Sequence, residues 1–333
     1  MPWITAMVAL PLLGALSLIF VPPGALTQSR IYAVVAALGT LVMTCAVVGL
    51  FHRGDAALQF RDFQAWAPGI GLNWDVGVDG ISLWLLVLTA ALFFLAILHA
   101  CFRPPARPRG YLALLLLAEA ALLGLFSSGN LALFYVFWEA MLVPFYFLIG
   151  MWGGPRAGQA TLKFVIYTMV GSLLMLVAVL ATGFIAQAHT GQFTLDIQQL
   201  RGVAFTSSES TWLFAGFAAA FAIKLPLWPL HGWLPDAYSA APIVVTGLLA
   251  AVMSKAAAYG LLRVGLPLFP EGADRFAIPL AVMALIGIVY GSLVAWRAPT
   301  MRLLLGYSSL AHLGFIVLGI MIFDLQGAQG AVL

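Results

Sequence analysis

Long, uninterrupted apolar runs separated by short polar or Gly/Pro-bearing stretches organise this 333-residue chain. A helix needs about 20 consecutive apolar residues to cross a bilayer. That length predicts ten spans, at about 3–21, 30–51, 78–101, 111–127, 130–151, 161–187, 211–236, 242–263, 276–296 and 302–323, with an eleventh beginning at Gln329. The runs are continuous, which argues against the alternating segments of about 10 residues found in outer-membrane barrels. The expected fold is an all-α polytopic membrane protein.

Two connecting segments are longer than turns. Residues 52–77 carry Trp66, Trp74, Pro68 and several glycines, and residues 188–210 carry the sequence LDIQQL. Both predict surface structure, as short strands or an interfacial helix. The seventh span reads KLPLWPLHGWLP, and Pro226 and Pro229 fall inside it. A proline removes a backbone donor and clashes with the preceding turn, so this helix is expected to break just after Lys224. Broken backbone at membrane depth is tolerated where protein or water covers it.

Composition places the chain firmly in the bilayer. It is 63% hydrophobic and 8% charged, against about 25% charged in soluble domains. Arg103, Arg107 and Arg109 share one short loop, so the positive-inside rule puts that loop in the cytoplasm and the N-terminus outside. Trp3 to Val21 reads as a first span and not a cleaved signal, because no charged region precedes it. Cys45 and Cys101 lie in apolar spans at no metal or disulfide spacing, and read as small core residues. The chain shows no phosphate-binding loop, cysteine cluster or dinucleotide fingerprint. It is therefore expected to carry no cofactor of its own.

Against this background the charges inside spans are the candidate chemistry. A charge at mid-membrane costs roughly 2.5–3.5 kcal/mol on insertion scales. Glu139 sits nine residues into the fifth span, which is about 14 Å along a helix axis. Lys224 and Lys255 are too deep for their side chains to reach water easily, whereas Lys163 is near the start of its span. Interior lysines that can lose a proton at neutral pH are natural relay sites. His231 follows the helix break. His312 lies in YSSLAHLGF, with Ser308 and Ser309 one turn earlier on the same face, and histidine passes protons near physiological pH. Glu119 is also in an apolar run, where ion pairing and transport are equally open. Structural ion pairs would account for the same residues without any transport.

The ordered set FYVFWEAMLVPFYFLIGMWGG, TLKFVIYTMVGSLLML, FAIKLPLWPLHGWLPDAYSAAP, SKAAAYGLLR and YSSLAHLGF resembles the antiporter-like subunits of respiratory complex I, and WEAMLVPFYFLIGMWG together with VDGISL points to the subunit M (NADH dehydrogenase subunit 4) branch. The resemblance implies inverted five-span repeats in a fourteen-span bundle, so that this chain would lack the last spans. It implies an N-terminal three-helix segment over 1–110 and a proton-translocating core over 111–333. It also implies roles in proton transfer for Glu139, Lys163, Lys224, His231, Lys255 and His312, with a glutamate–lysine pair formed by Glu139 and Lys224. Quinone reduction, flavin and iron–sulfur clusters would belong to other subunits of the NADH:quinone oxidoreductase. The expected partners are neighbouring antiporter-like membrane subunits, the lipid bilayer and protons, with no nucleic acid. The expected location is the bacterial inner membrane. Tyr238 stands where the family commonly has histidine, and Thr300 where it has an acidic residue. A subunit of a multi-subunit cation/proton antiporter, or a membrane scaffold, shares the core pattern and remains an alternative.

Overall fold

The computed structural model describes residues 2–22, 24–54 and 57–332. The chain resolves into two compact units, Met1–Trp152 and Gly153–Leu333.

The first unit contains α1 (Trp3–Phe20), α2 (Leu26–Leu50), β1 (Gln59–Ala67), β2 (Leu72–Val78), α3 (Gly80–Phe102), α4 (Pro108–Ser127), α5 (Leu131–Ala140) and α6 (Leu142–Trp152). α4 is the central helix, packed against α1, α2, α3, α5 and α6. Its sequence YLALLLLAEAALLGLF is apolar on every side, as a helix enclosed by others requires. At Gly124 a β-carbon would come within 2.3 Å of the Phe137 ring, so the glycine allows α5 to approach. The long segment before α3 forms strands, one of its two expected forms, as an antiparallel β1–β2 hairpin. Asp75 of β2 is fully buried and accepts two 2.8 Å bonds from Arg61 of β1. The Asp75 carbonyl also takes the Gly129 amide at 2.8 Å, which fastens the hairpin to the turn between α4 and α5. Asn130 caps α5 by accepting from the Ala132 and Leu133 amides, while its own amide donates to the Gly71 carbonyl.

The second unit contains α7 (Ala157–Thr190), α8 (Ile197–Leu200), α9 (Ser207–Lys224), α10 (Leu234–Ala240), α11 (Ile243–Leu248), α12 (Lys255–Gly260), α13 (Leu266–Leu268), α14 (Pro270–Trp296), α15 (Met301–Met321) and α16 (Leu325–Val332). α7 packs on α9, and α14 on α15 and α9. Small residues let these backbones approach closely, as is usual for helices in lipid. A β-carbon at Gly291 would lie 2.9 Å from the Tyr307 carbonyl, and one at Gly216 would lie 3.1 Å from that of Leu174. α8 is the short helix expected within LDIQQL, capped by Asp196 through the Gln198 and Gln199 amides.

Among the described residues, nine helical segments are long and apolar enough to cross a membrane. They correspond to nine of the ten expected spans. The remaining one, the seventh, is α9 and the broken segment after it. α9 has Ser207, Ser208, Glu209 and Ser210 in its first turn and ends on Lys224, which shortens its apolar stretch.

Two of the spans carry interruptions, and two residue expectations are corrected. The fifth span is not continuous: a turn at Met141 separates α5 from α6. Pro144 lacks the N–H that would reach the Ala140 carbonyl, so the helical ladder fails there. The eighth span is not a plain α-helix, because π-helical turns occupy Leu249–Met253 and Leu261–Gly265. Cys45 is exposed on α2 and not in the core. His312 is exposed on α15 and not buried, since the packed face of that helix runs through Leu310, Leu313, Gly314 and Val317.

Candidate functional site: charged groups at helix interruptions

Three of the expected site residues sit where regular helical hydrogen bonding fails. Glu139 is the penultimate residue of α5, directly before the Met141 turn. It is half-buried, and its Oε1 is buried with no hydrogen-bond partner among the described residues. Tyr135, one turn earlier, lies within hydrogen-bond reach of the same carboxylate.

Lys224 ends α9 and is 1% exposed. The chain then turns through Leu225–Trp233 before α10 begins, which is the break expected from Pro226 and Pro229. The carbonyls released by the prolines find substitutes. Leu227 donates to the Ala222 carbonyl at 2.8 Å, and the buried indole of Trp233 donates to the Ile223 carbonyl at 2.8 Å. The Trp233 ring is braced by Phe164, 5.2 Å away between centroids. The polar backbone next to Lys224 is thus held in a fixed geometry.

Lys255 begins α12 between the two π-helical turns. Its Nζ donates to the Ala250 carbonyl at 2.8 Å, an oxygen that also accepts the Ser254 hydroxyl at 2.7 Å. A π turn widens the ladder, which brings a carbonyl five residues back within reach of the ammonium.

Lys163 and His231 belong to a separate cluster within the second unit. Lys163, on α7, donates to Asp236 Oδ2 at 2.7 Å. The two side chains are 41% and 52% exposed, and ion pairs this open contribute about 0–1 kcal/mol. The contact therefore positions groups and adds little to stability. It faces a cavity of about 750 Å³ that is also lined by Arg156, Gln159, Ser239 and Arg302. The Arg302 guanidinium is committed to the Ser239 and Ala241 carbonyls at 2.9 and 3.3 Å. The His231 ring stands edge-on to Tyr290 at 5.2 Å, and Tyr290 stands edge-on to Tyr307 at 6.2 Å. The Tyr307 and Tyr290 hydroxyls are within hydrogen-bond reach of each other.

Asp236, Tyr290 and Tyr307 were missed by the sequence reading. Asp236 carried a signal, being a carboxylate in the first turn of the helix that follows the break, five residues after His231. The tyrosines carried none. His312 lies outside this cluster, on an exposed face. Glu119 is wholly buried in α4, and neither carboxyl oxygen has a hydrogen-bond partner among the described residues.

Charged side chains at breaks in otherwise apolar helices are the mark of a membrane transport subunit. The family described as NADH:quinone oxidoreductase/Mrp antiporter, TM, matches residues 128–333, and the chain belongs to it. It is 38% identical over its whole length to NAD(P)H-quinone oxidoreductase chain 4 1 of Nostoc sp., and covers 61% of that protein. It is 37% identical to NADH-quinone oxidoreductase subunit M of Rickettsia conorii, again over its whole length, and covers 68% of it. Among solved structures, a chain of respiratory complex I from Thermus thermophilus superposes with a TM-score of 0.88 at 33% identity, covering 99% of this chain and 67% of that one. A chain of the Mrp complex from Dietzia sp. superposes with a TM-score of 0.85 at 26% identity, covering 99% and 60%. The chain thus spans about three-fifths of the length of its cyanobacterial relative.

Proposed function

We propose that this chain is a proton-translocating membrane subunit of a complex I-type NADH:quinone oxidoreductase, with electron transfer carried out by other subunits. The observation that carries this reading is the placement of Glu139, Lys224 and Lys255, each at an interruption of its helix. A charge in an apolar bundle needs carbonyls or water beside it, and interrupted helices in transporters supply both.

In this reading Lys224 and Glu139 both serve proton uptake. Lys255 passes the proton onward along the membrane midplane, and Lys163 and His231 serve the entry side. His312, exposed on this chain, acts at a surface facing a neighbouring subunit. The Arg103–Arg109 loop faces the cytoplasm, and the N-terminus faces outside. The chain resides in a bacterial inner membrane beside other antiporter-like subunits. No cofactor is assigned to it.

The test uses the full-length subunit assembled in its complex and reconstituted in liposomes. Lys224→Ala is expected to lower the ratio of protons pumped to electrons transferred while quinone reduction continues. An unchanged ratio would leave the buried lysine a structural part. The antiporter reading is supported by the likeness to the Mrp complex chain. It predicts instead cation-dependent proton flux without quinone chemistry.

A further inference from the structure

We propose that Asp236 is the proton acceptor at the cavity mouth and that its pairing with Lys163 is a latch controlling transfer to His231. The proposal rests on the proton-translocating reading and adds a step and a residue to it.

Lys163 has two neighbours from a single stretch of chain. Its Nζ is 2.7 Å from Asp236 Oδ2. It also lies against the backbone at Gly232, where a β-carbon would be 3.7 Å from both Lys163 Cε and Nζ. That is an ordinary van der Waals separation, and it places the lysine head next to the residue that follows His231. The Nδ1 of His231 is buried and has no hydrogen-bond partner among the described residues, so in the tautomer protonated on Nε2 it is the free acceptor.

The surroundings isolate the pair. Arg156 and Arg302 line the same cavity, but Arg302 is occupied by two backbone carbonyls. Tyr167 places its hydroxyl 3.1 Å from a β-carbon built at Gly232. Tyr290 and Tyr307 stand beyond His231. Within the cavity lining Asp236 is the only carboxylate among the described residues. The pair is half-exposed, so it opens without the penalty of separating buried charges.

The step balances as follows. A hydronium ion in the cavity protonates the Asp236 carboxylate and leaves water. Lys163, without its counter-charge, transfers a proton from Nζ to His231 Nδ1 and becomes a neutral amine. The Asp236 carboxylic acid then returns its proton to the Lys163 amine, and the ion pair reforms. The net result is one proton moved from the cavity to His231, with no oxidant or reductant.

The assembled, reconstituted complex provides the test, read as the ratio of protons pumped to electrons transferred. Asp236→Asn is expected to lower the ratio to the level of Lys163→Gln, and the double variant is expected to be no lower than Lys163→Gln alone. Asp236→Glu should retain most of the ratio. A wild-type ratio in Asp236→Asn alongside a loss in Lys163→Gln would overturn the latch and leave the wider reading intact. A wild-type ratio in Lys224→Ala as well as in Lys163→Gln would overturn both. If Asp236→Asn does not assemble, the exchanged pair Lys163→Asp with Asp236→Lys decides. Assembly with lost pumping supports the proposal. Recovered pumping, or failure of that variant too to assemble, assigns the pair a structural role and overturns it.

Discussion

The indole of Trp233 donates to the carbonyl of Ile223, the residue immediately before Lys224, at 2.8 Å. Proline leaves the helix end at Lys224 short of donors, and a side chain ten residues later replaces one of them. Trp233→Phe keeps the ring contact with Phe164 and removes the donor. An unsatisfied buried carbonyl costs about 1–3 kcal/mol. Thermal unfolding of the chain in detergent is expected to show a loss of that size. Unchanged stability would mean that the Ile223 carbonyl takes another donor.

Glu139 and Lys224 are expected to serve the same transfer step. Glu139→Gln and Lys224→Ala should each lower pumping in the assembled complex. The double variant should be no worse than about the poorer single variant, because coupled sites are not additive. Assembly should largely survive, since neutralising a buried charge also removes its desolvation cost. Losses that multiply in the double variant would show that the two residues act independently.

The hairpin clamp makes a prediction about stability alone. Arg61→Ala leaves the Asp75 carboxylate buried without its two guanidinium bonds. Breaking a buried pair costs about 3–5 kcal/mol, and partial exposure of Arg61 places this one near or below the lower end. Asp75→Asn, which removes the charge, should cost less. Urea or thermal unfolding compares the two, and a smaller loss in Arg61→Ala would reverse the assignment.

Orientation is tested by cysteine labelling. With Cys45 and Cys101 replaced by alanine, a single cysteine at Pro105 should react with a membrane-impermeant maleimide only from the cytoplasmic side. One at Gln64, in the hairpin, should react only from outside. Labelling of the Pro105 probe only from outside would reject the assignment.

The sequence by itself determined the solvent, the spans and the helix break after Lys224. Each follows from local properties: run length against bilayer thickness, and prolines that lack a donor. It also located Glu139, Lys224 and Lys255, because a charge within an apolar run is visible without knowing what surrounds it. Even the Met141 turn was latent in Pro144. Only the tertiary structure decided which groups meet. Asp236 became the partner of Lys163 because α10 packs on α7, and these residues are 73 positions apart. Tyr307 reached Tyr290, which stands against His231, because α14 and α15 pack closely at Gly291. His312 turned outward because helix rotation is set by which face packs, and α15 packs through Leu310, Leu313, Gly314 and Val317.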